Sequence, residues 1–430
     1  MHVYFSGIGG TGIGPLALLA HQAGYTVSGS DKQESEYYRY LRSKNIGDLH
    51  IGQEYDQIQA MHEKNPIEWF VHTSALSIEN PNAPELKFCR DHDIKVSKRD
   101  ELINHLLAER NLKLIAISGT HGKTTTTAMM VWLLKQLGIP VSYSVGAKIS
   151  FGEMGEFDPK SEYFVYEADE YDRNFLRFKP YVSIIPGIAY DHPDIYPTEE
   201  EYDQAFRDFI FQSEHVLAHQ KDLEKLELSA DPYQDVTKQL TMPGEVNREN
   251  AQLVITAVHK LTGTPLTELV KIVNGFPGLS RRFEKITEGV YSDYAHTPEK
   301  IRGALQMARE VAGDDVVVVY EGLHNTRQHF IKKQLKDLFD GTKKLYIVPS
   351  CLAREDESLE LLTPQKLSET IEKPDKRIPS ELNDTLKENI KSEVDTGNLV
   401  LCLTAGGGGS LDEWLRVNFV HGNQESGNSN

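Results

Sequence analysis

The chain has 430 residues, of which 39% are hydrophobic and 26% charged, a globular composition with enough length for two or three domains. Its 46 Lys and Arg residues against 64 Asp and Glu residues give a net charge of −18, and this acidic balance argues against general nucleic-acid binding. It leaves phosphate ligands open, because a few local groups can override the overall field. The three cysteines fit no CxxC pattern, so no disulfide framework or zinc site is expected. No apolar run approaches the roughly 18 residues of a membrane span, and no targeting segment precedes the first strand, so we expect a cytoplasmic protein.

Short apolar segments alternate with amphipathic ones along most of the chain, which is typical of α/β domains. The pattern starts with a strand at Val3–Ser6, restarts at Leu112–Ser118, and restarts again near Leu279 after a Gly/Pro-rich stretch. We therefore predict three α/β domains and a disordered tail, with the boundaries 1–110, 111–278, 279–420 and 421–430.

The first glycine loop follows the first strand and opens a helix. Its sequence, Gly7-Ile8-Gly9-Gly10-Thr11-Gly12, fits G-x-G-x-x-G, and Asp31 ends the next strand. Glycines at this spacing let backbone N–H groups approach a diphosphate at a helix N-terminus, and an acidic residue at this position can accept from a hydroxyl or base N–H. An NAD-dependent dehydrogenase, a protein that binds another nucleotide diphosphate such as a UDP-sugar, and a tight turn without a ligand all fit this loop.

A second glycine loop, Gly119-Thr120-His121-Gly122-Lys123-Thr124-Thr125, also lies between an apolar strand and a helix. This context is typical of a P-loop, whose N–H groups cradle phosphates. Lys123 would pair with the β- and γ-phosphates of ATP, and the Thr124 hydroxyl would reach Mg²⁺. The loop is shorter than the general pattern, which would place glycine where Ile117 stands.

Two later strands end in residues that suit a magnesium ion. The strand at Tyr163–Tyr166 leads to Glu167-Ala168-Asp169-Glu170, and the strand at Val182–Ile185 leads to Asp191-His192. Mg²⁺ beside a triphosphate usually takes only one or two protein carboxylates. For any one of these acids alone, a solvated charge is the simpler interpretation, and a lone histidine is usually structural.

Three motifs together resemble the Mur ligase family, the ATP-dependent amide-bond-forming enzymes of peptidoglycan precursor synthesis. They are the loop Gly119–Thr125, the run Glu167–Glu170, and Asp293-Tyr294-Ala295-His296-Thr297-Pro298. The resemblance extends from the first glycine loop to about residue 415. It implies a Rossmann-like N-terminal domain for a UDP-sugar, a central P-loop ATPase-like domain with a parallel or mixed sheet, and a C-terminal dinucleotide-binding-like domain.

The resemblance also implies roles for individual residues. Gly7, Gly9, Gly10, Gly12 and Asp31 would bind UDP-N-acetylmuramate instead of NAD. The phosphates of ATP would lie on Gly119–Thr125, and magnesium on Thr124, Glu167 and His192. For the rest of the nucleotide and the incoming amino acid, the matching residues are Asn247 and Asn250 at adenine, Arg282 near the nucleotide, Asp293 at the ribose, and His296 and Arg327 near the amino-acid carboxylate. Catalysis would rest on Lys123, Glu167, His192, His296 and Arg327.

The implied reaction is activation of the lactyl carboxylate of UDP-N-acetylmuramate as an acyl phosphate, followed by attack of an amino-acid amine with release of ADP and phosphate. His121 and Ala353-Arg354-Glu355 resemble the branch whose acceptor is L-alanine, although a recycling branch that takes a murein tripeptide shares the histidine. Glycine and L-serine are further candidate acceptors. A nicotinamide-dependent oxidoreductase is the alternative from another class.

Several positions depart from the family pattern. Gly187 and Ala189 stand where the family has Asn and Glu, and Val246 stands where it has histidine. His324 replaces the first of two expected arginines, so one charge of the carboxylate clamp is missing or depends on pH. This last departure bears on the identity of the acceptor.

Overall fold

The computed structural model describes residues 1–73, 76, 80–193, 195–229, 233–352, 355–356, 358–405 and 409–420. The predicted tail at 421–430 and the predicted motif residues Ala353 and Arg354 lie outside the described residues. The chain forms two compact units, one of Met1–Leu240 with Glu249–Pro277 and one of Thr241–Arg248 with Gly278–Asn430. Within the described residues, no helix is long and apolar enough to cross a membrane.

The first sheet of the first unit is entirely parallel, with strand order β3-β2-β1-β4-β5. Its strands are β1 His2–Ser6, β2 Thr26–Asp31, β3 Asp48–Ile51, β4 Trp69–His72 and β5 Lys95–Lys98. The helices between and after these strands are α1 Gly14–Gln22, α2 Glu36–Ser43, α3 Tyr55–Lys64, α4 Pro84–Asp91 and α5 Arg99–Arg110. The order reverses at β1, and ligands of open α/β sheets bind beyond the carboxyl ends of the strands at such a point.

The second sheet of the same unit has the order β11-β10-β6-β9-β7-β8, with only β8 antiparallel to its neighbour. Its strands are β6 Lys113–Ile117, β7 Val141–Ser144, β8 Gly155–Glu156, β9 Tyr163–Glu167, β10 Val182–Ile185 and β11 His215–Ala218. The associated helices are α6 Lys123–Gln136, α7 Glu199–Phe211, α8 Gln220–Lys225, α9 Glu245–Thr262 and α10 Leu266–Val273, with a 3₁₀ segment at Tyr171–Arg177. The first turn of α9, up to Arg248, belongs to the second unit.

The second unit contains a third sheet, of order β12-β13-β17-β14-β15-β16, in which only β12 is antiparallel. Its strands are β12 Glu284–Thr287, β13 Val290–Asp293, β14 Val316–Leu323, β15 Lys344–Cys351, β16 Arg377–Pro379 and β17 Leu399–Leu403. Its helices are α11 Pro298–Ala312, α12 Asn325–Leu335, α13 Pro364–Thr370, α14 Asp384–Asp395 and α15 Leu411–Leu415.

Buried strands explain why the apolar segments of the sequence are nearly continuous. All five residues of β1, all eight of β14 and all five of β17 are buried, as expected for parallel strands covered on both faces. The predicted α/β class with three sheets is confirmed. The exact domain boundaries stay a prediction, since the first two sheets lie in one compact unit.

Candidate active site

The first glycine loop follows β1 at the point where the strand order reverses. The N–H groups of Gly7 and Ile8 both donate to the Ser30 carbonyl, at 2.9 and 3.0 Å. The Gly9 N–H donates to Oδ2 of Asp31 at 2.7 Å. The structure therefore brings Asp31 to the loop, as predicted, and one of its carboxylate oxygens holds the loop itself.

Close contacts from several side chains favour glycine at Gly9, whereas at Gly12 the contacting atoms belong to the end of one flexible arginine side chain. A Cβ on Gly9 would lie 2.5 Å from Oγ of Ser35, and a Cβ on Gly12 would lie 2.8 Å from Nη1 of Arg99. The Gly10 N–H donates to the Gly7 carbonyl at 3.0 Å, which closes the turn. The loop is thus held in one compact conformation ahead of α1.

A buried carboxylate, that of Glu85, contacts the strands on either side of this loop, and the sequence did not predict it. The hydroxyls of Tyr4, Ser6 and Ser30 donate to Glu85 at 2.6, 2.6 and 2.5 Å, and the Glu85 side chain is buried. Burial raises the pKa of Glu85, and the three hydroxyls oppose that rise. Because Ser6 is the last residue of β1 and Ser30 the last but one of β2, Glu85 connects the carboxyl ends of these two neighbouring strands. No local sequence signal marks Glu85 for this role.

The second glycine loop connects β6 to α6 through two glycines with positive φ, Gly119 at +150° and Gly122 at +77°. A Cβ on Gly119 would lie 2.8 Å from the carbonyl oxygen of Gly187, and one on Gly122 would lie 2.7 Å from Nδ2 of Asn250. Helix α6 begins at Lys123 and has no side-chain cap at its N-terminus. A cradle of this shape at a helix N-terminus fits a phosphate group.

Thr120 anchors the loop to the segment that follows β10. Its N–H donates to the Gly187 carbonyl at 2.9 Å, and its Oγ1 lies 2.7 Å from the Ala189 carbonyl oxygen and 2.9 Å from the Ala189 nitrogen. The Tyr202 hydroxyl is also 2.7 Å from Oγ1. Gly187 and Ala189 thus hold the loop through backbone groups. These contacts do not depend on the Asn and Glu side chains that the family has at the two positions.

Lys123 forms a buried ion pair with Glu170, a residue to which no role was assigned from the sequence. Nζ of Lys123 lies 2.7 and 3.0 Å from the two oxygens of Glu170, whose side chain is 1% exposed, and donates to the Gly119 carbonyl at 2.6 Å. Burial alone would raise the pKa of Glu170, but the Lys123 ammonium outweighs it and holds that pKa at about 2. Nε2 of His192 lies 3.6 Å from Glu170, so His192 joins the same cluster.

The predicted magnesium ligands Thr124 and Glu167 are in contact. The Thr124 hydroxyl donates to Oε1 of Glu167 at 3.0 Å, and the Gly146 N–H donates to Oε2 at 3.2 Å. No group of three or more His, Cys, Asp or Glu side chains among the described residues is arranged to hold a metal ion. A hydroxyl and a carboxylate at the mouth of a phosphate loop are hard oxygen donors, and this donor set fits Mg²⁺ that also takes phosphate oxygens. His121 and Thr125 are half-buried in the same loop and first helical turn.

In the second unit, Asp293 ends β13 and is buried. Its Oδ2 accepts from the Phe283 N–H at 2.7 Å. Burial raises the pKa of Asp293 to about 6, although the nearby Arg282 guanidinium acts in the opposite direction. The guanidinium carbon of Arg282 lies 5.5 Å from the centre of the Tyr294 ring. Arg282 and Asp293 are therefore neighbours, as the resemblance implies.

His296 lies among positive charges in the same unit. Burial, together with Lys300 and Arg327, lowers the pKa of His296 to about 3, and its Nδ1 lies 2.9 Å from the Tyr294 carbonyl oxygen. The structure therefore brings His296 and Arg327 close enough to interact. His324 has φ +56°, and its Nδ1 lies 3.8 Å from Oε1 of Glu355.

The two predicted adenine residues have different surroundings. Asn250 lies beside Gly122 of the phosphate loop in the first unit. Nδ2 of Asn247 donates to the Pro243 carbonyl at 3.0 Å and lies 3.2 Å from the sulfur of Met307 in the second unit. The structure thus brings only Asn250 to the phosphate loop within one unit.

Three family models match the chain in succession. They are described as "Mur ligase family, catalytic domain" at residues 2–111, "Mur ligase middle domain" at 117–224 and "Mur ligase, glutamate ligase domain" at 281–406. The chain belongs to the Mur ligase family. The resemblance read from the three sequence motifs is confirmed, and so is the class of enzyme, a ligase.

Several relatives of this Mur ligase align with it over nearly its whole length. A UDP-N-acetylmuramate–L-alanine ligase from Carboxydothermus hydrogenoformans is 29% identical, over 94% of each chain. The crystal structure of UDP-N-acetylmuramate–alanine ligase from Thermotoga maritima superposes with a TM-score of 0.76, at 23% identity, and covers 99% of this chain and 100% of that one. A murein peptide ligase from Psychrobacter arcticus superposes with a TM-score of 0.62 at 22% identity, covering 96% and 97%. At these identities, the two structures show a shared fold.

Proposed function

We propose that this Mur ligase uses ATP to join L-alanine to the lactyl carboxylate of UDP-N-acetylmuramate. The observation that carries the proposal is the phosphate loop, in which Lys123 begins α6 and Thr124 contacts Glu167 at the loop's mouth. The name of the Carboxydothermus relative supports the choice of substrates. The first glycine loop would hold the diphosphate of the UDP-sugar in the same compact unit.

The residues of the first unit would bind and orient the phosphates. ATP with Mg²⁺, when bound, supplies the phosphoryl group that activates the carboxylate. The N-terminus of α6 would offer N–H donors to the phosphates, and Lys123 would exchange part of its contact with Glu170 for a phosphate oxygen. Glu167 and Thr124 would hold the metal, with His192, which lies 3.6 Å from Glu170, as the predicted third ligand.

The second unit would bind the acceptor and the remainder of the nucleotide. Arg327 would bind the amino-acid carboxylate, and Asp293 with Arg282 would face the ribose and its surroundings. His296 has a pKa near 3 and is therefore neutral at physiological pH, so it is too weak a base to take a proton from an amine. With a proton on Nδ1 donated to the Tyr294 carbonyl, its Nε2 is an acceptor that would orient the incoming amine.

A phosphate-release assay tests the proposal by omission. With ATP, Mg²⁺, UDP-N-acetylmuramate and L-alanine together, we expect sustained release of phosphate. Omission of the UDP-sugar or of the amino acid should reduce the release to background. Equal phosphate release without either substrate would contradict the ligase proposal, and displacement of UDP-N-acetylmuramate by micromolar NAD would favour an oxidoreductase site instead.

A further inference from the structure

Arg99 lies at a position that none of the motifs singles out, next to the first glycine loop. It is the first residue of α5 and directly follows β5 at the edge of the first sheet. Its side chain is 21% exposed, and its Nη1 lies 2.8 Å from where a Cβ on Gly12 would stand. One end of this guanidinium therefore contacts the loop that would carry the diphosphate of the UDP-sugar.

The other end of Arg99 reaches the acidic run after β9. Its Nη2 lies 3.2 Å from Oδ2 of Asp169, two residues beyond Glu167 and one before Glu170. The preceding residue, Lys98, pairs with Asp172, which lies two residues beyond the end of this run. Arg99 thus spans the distance between the first glycine loop and the segment that bears the proposed metal ligand and the partner of Lys123.

Arg99 lies beside a cluster of negative charges. Glu167, Asp169 and Glu170 are clustered on one short segment, and Lys123 is held by Glu170 on the side of the phosphate loop. A substrate carboxylate that approaches the γ-phosphate would meet these negative charges. A guanidinium presents paired N–H donors that match the two oxygens of a carboxylate, and one of its groups in Arg99, Nη2, already contacts one oxygen of Asp169.

We propose, on the basis of the proposed function, that Arg99 binds the lactyl carboxylate of UDP-N-acetylmuramate and guides it from the glycine loop toward the phosphate loop. On substrate binding, the substrate carboxylate replaces Asp169 as the partner of Nη2. Asp169 is then a competitor for the cation, and this gives the two members of one ion pair opposite effects on affinity.

Binding measured by calorimetry without ATP tests this inference. The ligands are UDP-N-acetylmuramate and UDP-N-acetylglucosamine, which has the same diphosphate but no lactyl carboxylate. Arg99→Met should weaken binding of UDP-N-acetylmuramate by roughly 10- to 100-fold, as expected for loss of a charged hydrogen-bond pair, and should leave UDP-N-acetylglucosamine unaffected. Arg99→Lys, which keeps the charge without the paired donors, should lie between wild type and Arg99→Met.

Asp169→Asn and Lys98→Met are the matched controls. Asp169→Asn removes the competing negative charge and should tighten binding of UDP-N-acetylmuramate, and Lys98→Met should leave it unchanged. If Asp169→Asn weakened binding as much as Arg99→Met, the pair would be only structural and the inference would be wrong. Equal weakening for both UDP-sugars would place the diphosphate, not the carboxylate, on Arg99 and would also overturn it. Failure of the wild-type protein to bind UDP-N-acetylmuramate at all would instead contradict the proposed function.

Discussion

Lys123 and Glu170 show how individual residues of this site depend on one another. Lys123 lies 16% exposed beside a carboxylate that is 1% exposed, so each charge is costly unless the other is present. His192 contacts the same carboxylate, and burial that would lower the pKa of His192 is outweighed by that contact, which raises it. The cluster is therefore electrostatically coupled before any phosphate enters.

The first expectation concerns Lys123, whose positive charge would stabilise the phosphoryl group during its transfer. Lys123→Ala should reduce kcat roughly 10²- to 10³-fold, because it removes the cation nearest the phosphate loop. The variant also leaves Glu170 buried without this partner, so the double variant Lys123→Ala/Glu170→Gln should recover thermal stability without recovering activity. Lys135→Ala, on the same helix, is the control and should keep normal phosphate release. Near-normal turnover of a folded Lys123→Ala would refute the assignment of this loop.

The second expectation concerns magnesium. Glu167→Gln keeps the hydrogen bond from Thr124 but removes the negative charge, so activity should require a higher Mg²⁺ concentration and be partly restored by excess metal. His192→Ala should behave in the same direction. Calorimetric binding of UDP-N-acetylmuramate should be unchanged in both variants. Full activity of both at limiting Mg²⁺ would show that the metal ligands lie elsewhere.

At the scale of secondary-structure elements, the sequence predicted the two glycine loops but not the distant residues that contact them. The two glycine loops were predictable, because tight strand-to-helix turns require glycine at fixed positions, and the structure places both at strand ends. Glu85 and Arg99 were not predictable, since their partners lie 55 and 70 residues away and neither belongs to a local motif. Asn247 and Asn250 are three residues apart on α9, yet only Asn250 contacts the phosphate loop within one unit.

The first glycine loop yields an expectation at this scale. Gly9→Val should weaken binding of UDP-N-acetylmuramate at least about tenfold, because the new side chain would collide with Ser35 and Asp31 and displace the loop's N–H donors. ATP binding at the second loop should be unaffected and serves as the internal control. Calorimetry with both ligands measures the difference. Unchanged affinity for the UDP-sugar would mean that its diphosphate binds away from this loop.

The third sheet yields a pH dependence through Asp293 at the end of β13. Its pKa is raised from the ordinary 3.8 to about 6, so between these values the folded state keeps a proton that the unfolded state has lost. Stability contributed by this group is therefore present at low pH and falls as pH rises through that window, by about 3 kcal/mol in total. Asp293→Asn should remove this fall.

Urea unfolding followed by one tryptophan measures this effect. The chain has three tryptophans, and Trp69→Phe/Trp132→Phe leaves Trp414, which reports on the second unit. In that background, Asp293→Asn should gain stability relative to Asp293 as the pH rises from 4 to 6.5. A stability difference that does not change with pH would show that burial does not perturb Asp293.

At the scale of the whole molecule, the motifs of one ligase are distributed over three β-sheets and their helices, which form two compact units. The sequence resemblance extends from the first glycine loop to about residue 415, and the three family models match residues 2–111, 117–224 and 281–406. The choice of acceptor is encoded less clearly, because His324 stands where an arginine is expected and faces Glu355. The Glu355 carboxylate would repel the carboxylate of the incoming amino acid at that position. One arginine, Arg327, would therefore hold the acceptor.

Product mass spectrometry after competition tests the central claim most directly. The full chain is supplied with ATP, Mg²⁺, UDP-N-acetylmuramate and equal concentrations of L-alanine, glycine, L-serine and murein tripeptide. We expect the adduct of L-alanine with UDP-N-acetylmuramate as the main product, with smaller amounts from glycine and L-serine. A product that carries only the murein tripeptide, with no L-alanine adduct, would contradict the proposed acceptor, and the absence of any amide product would contradict the proposed reaction.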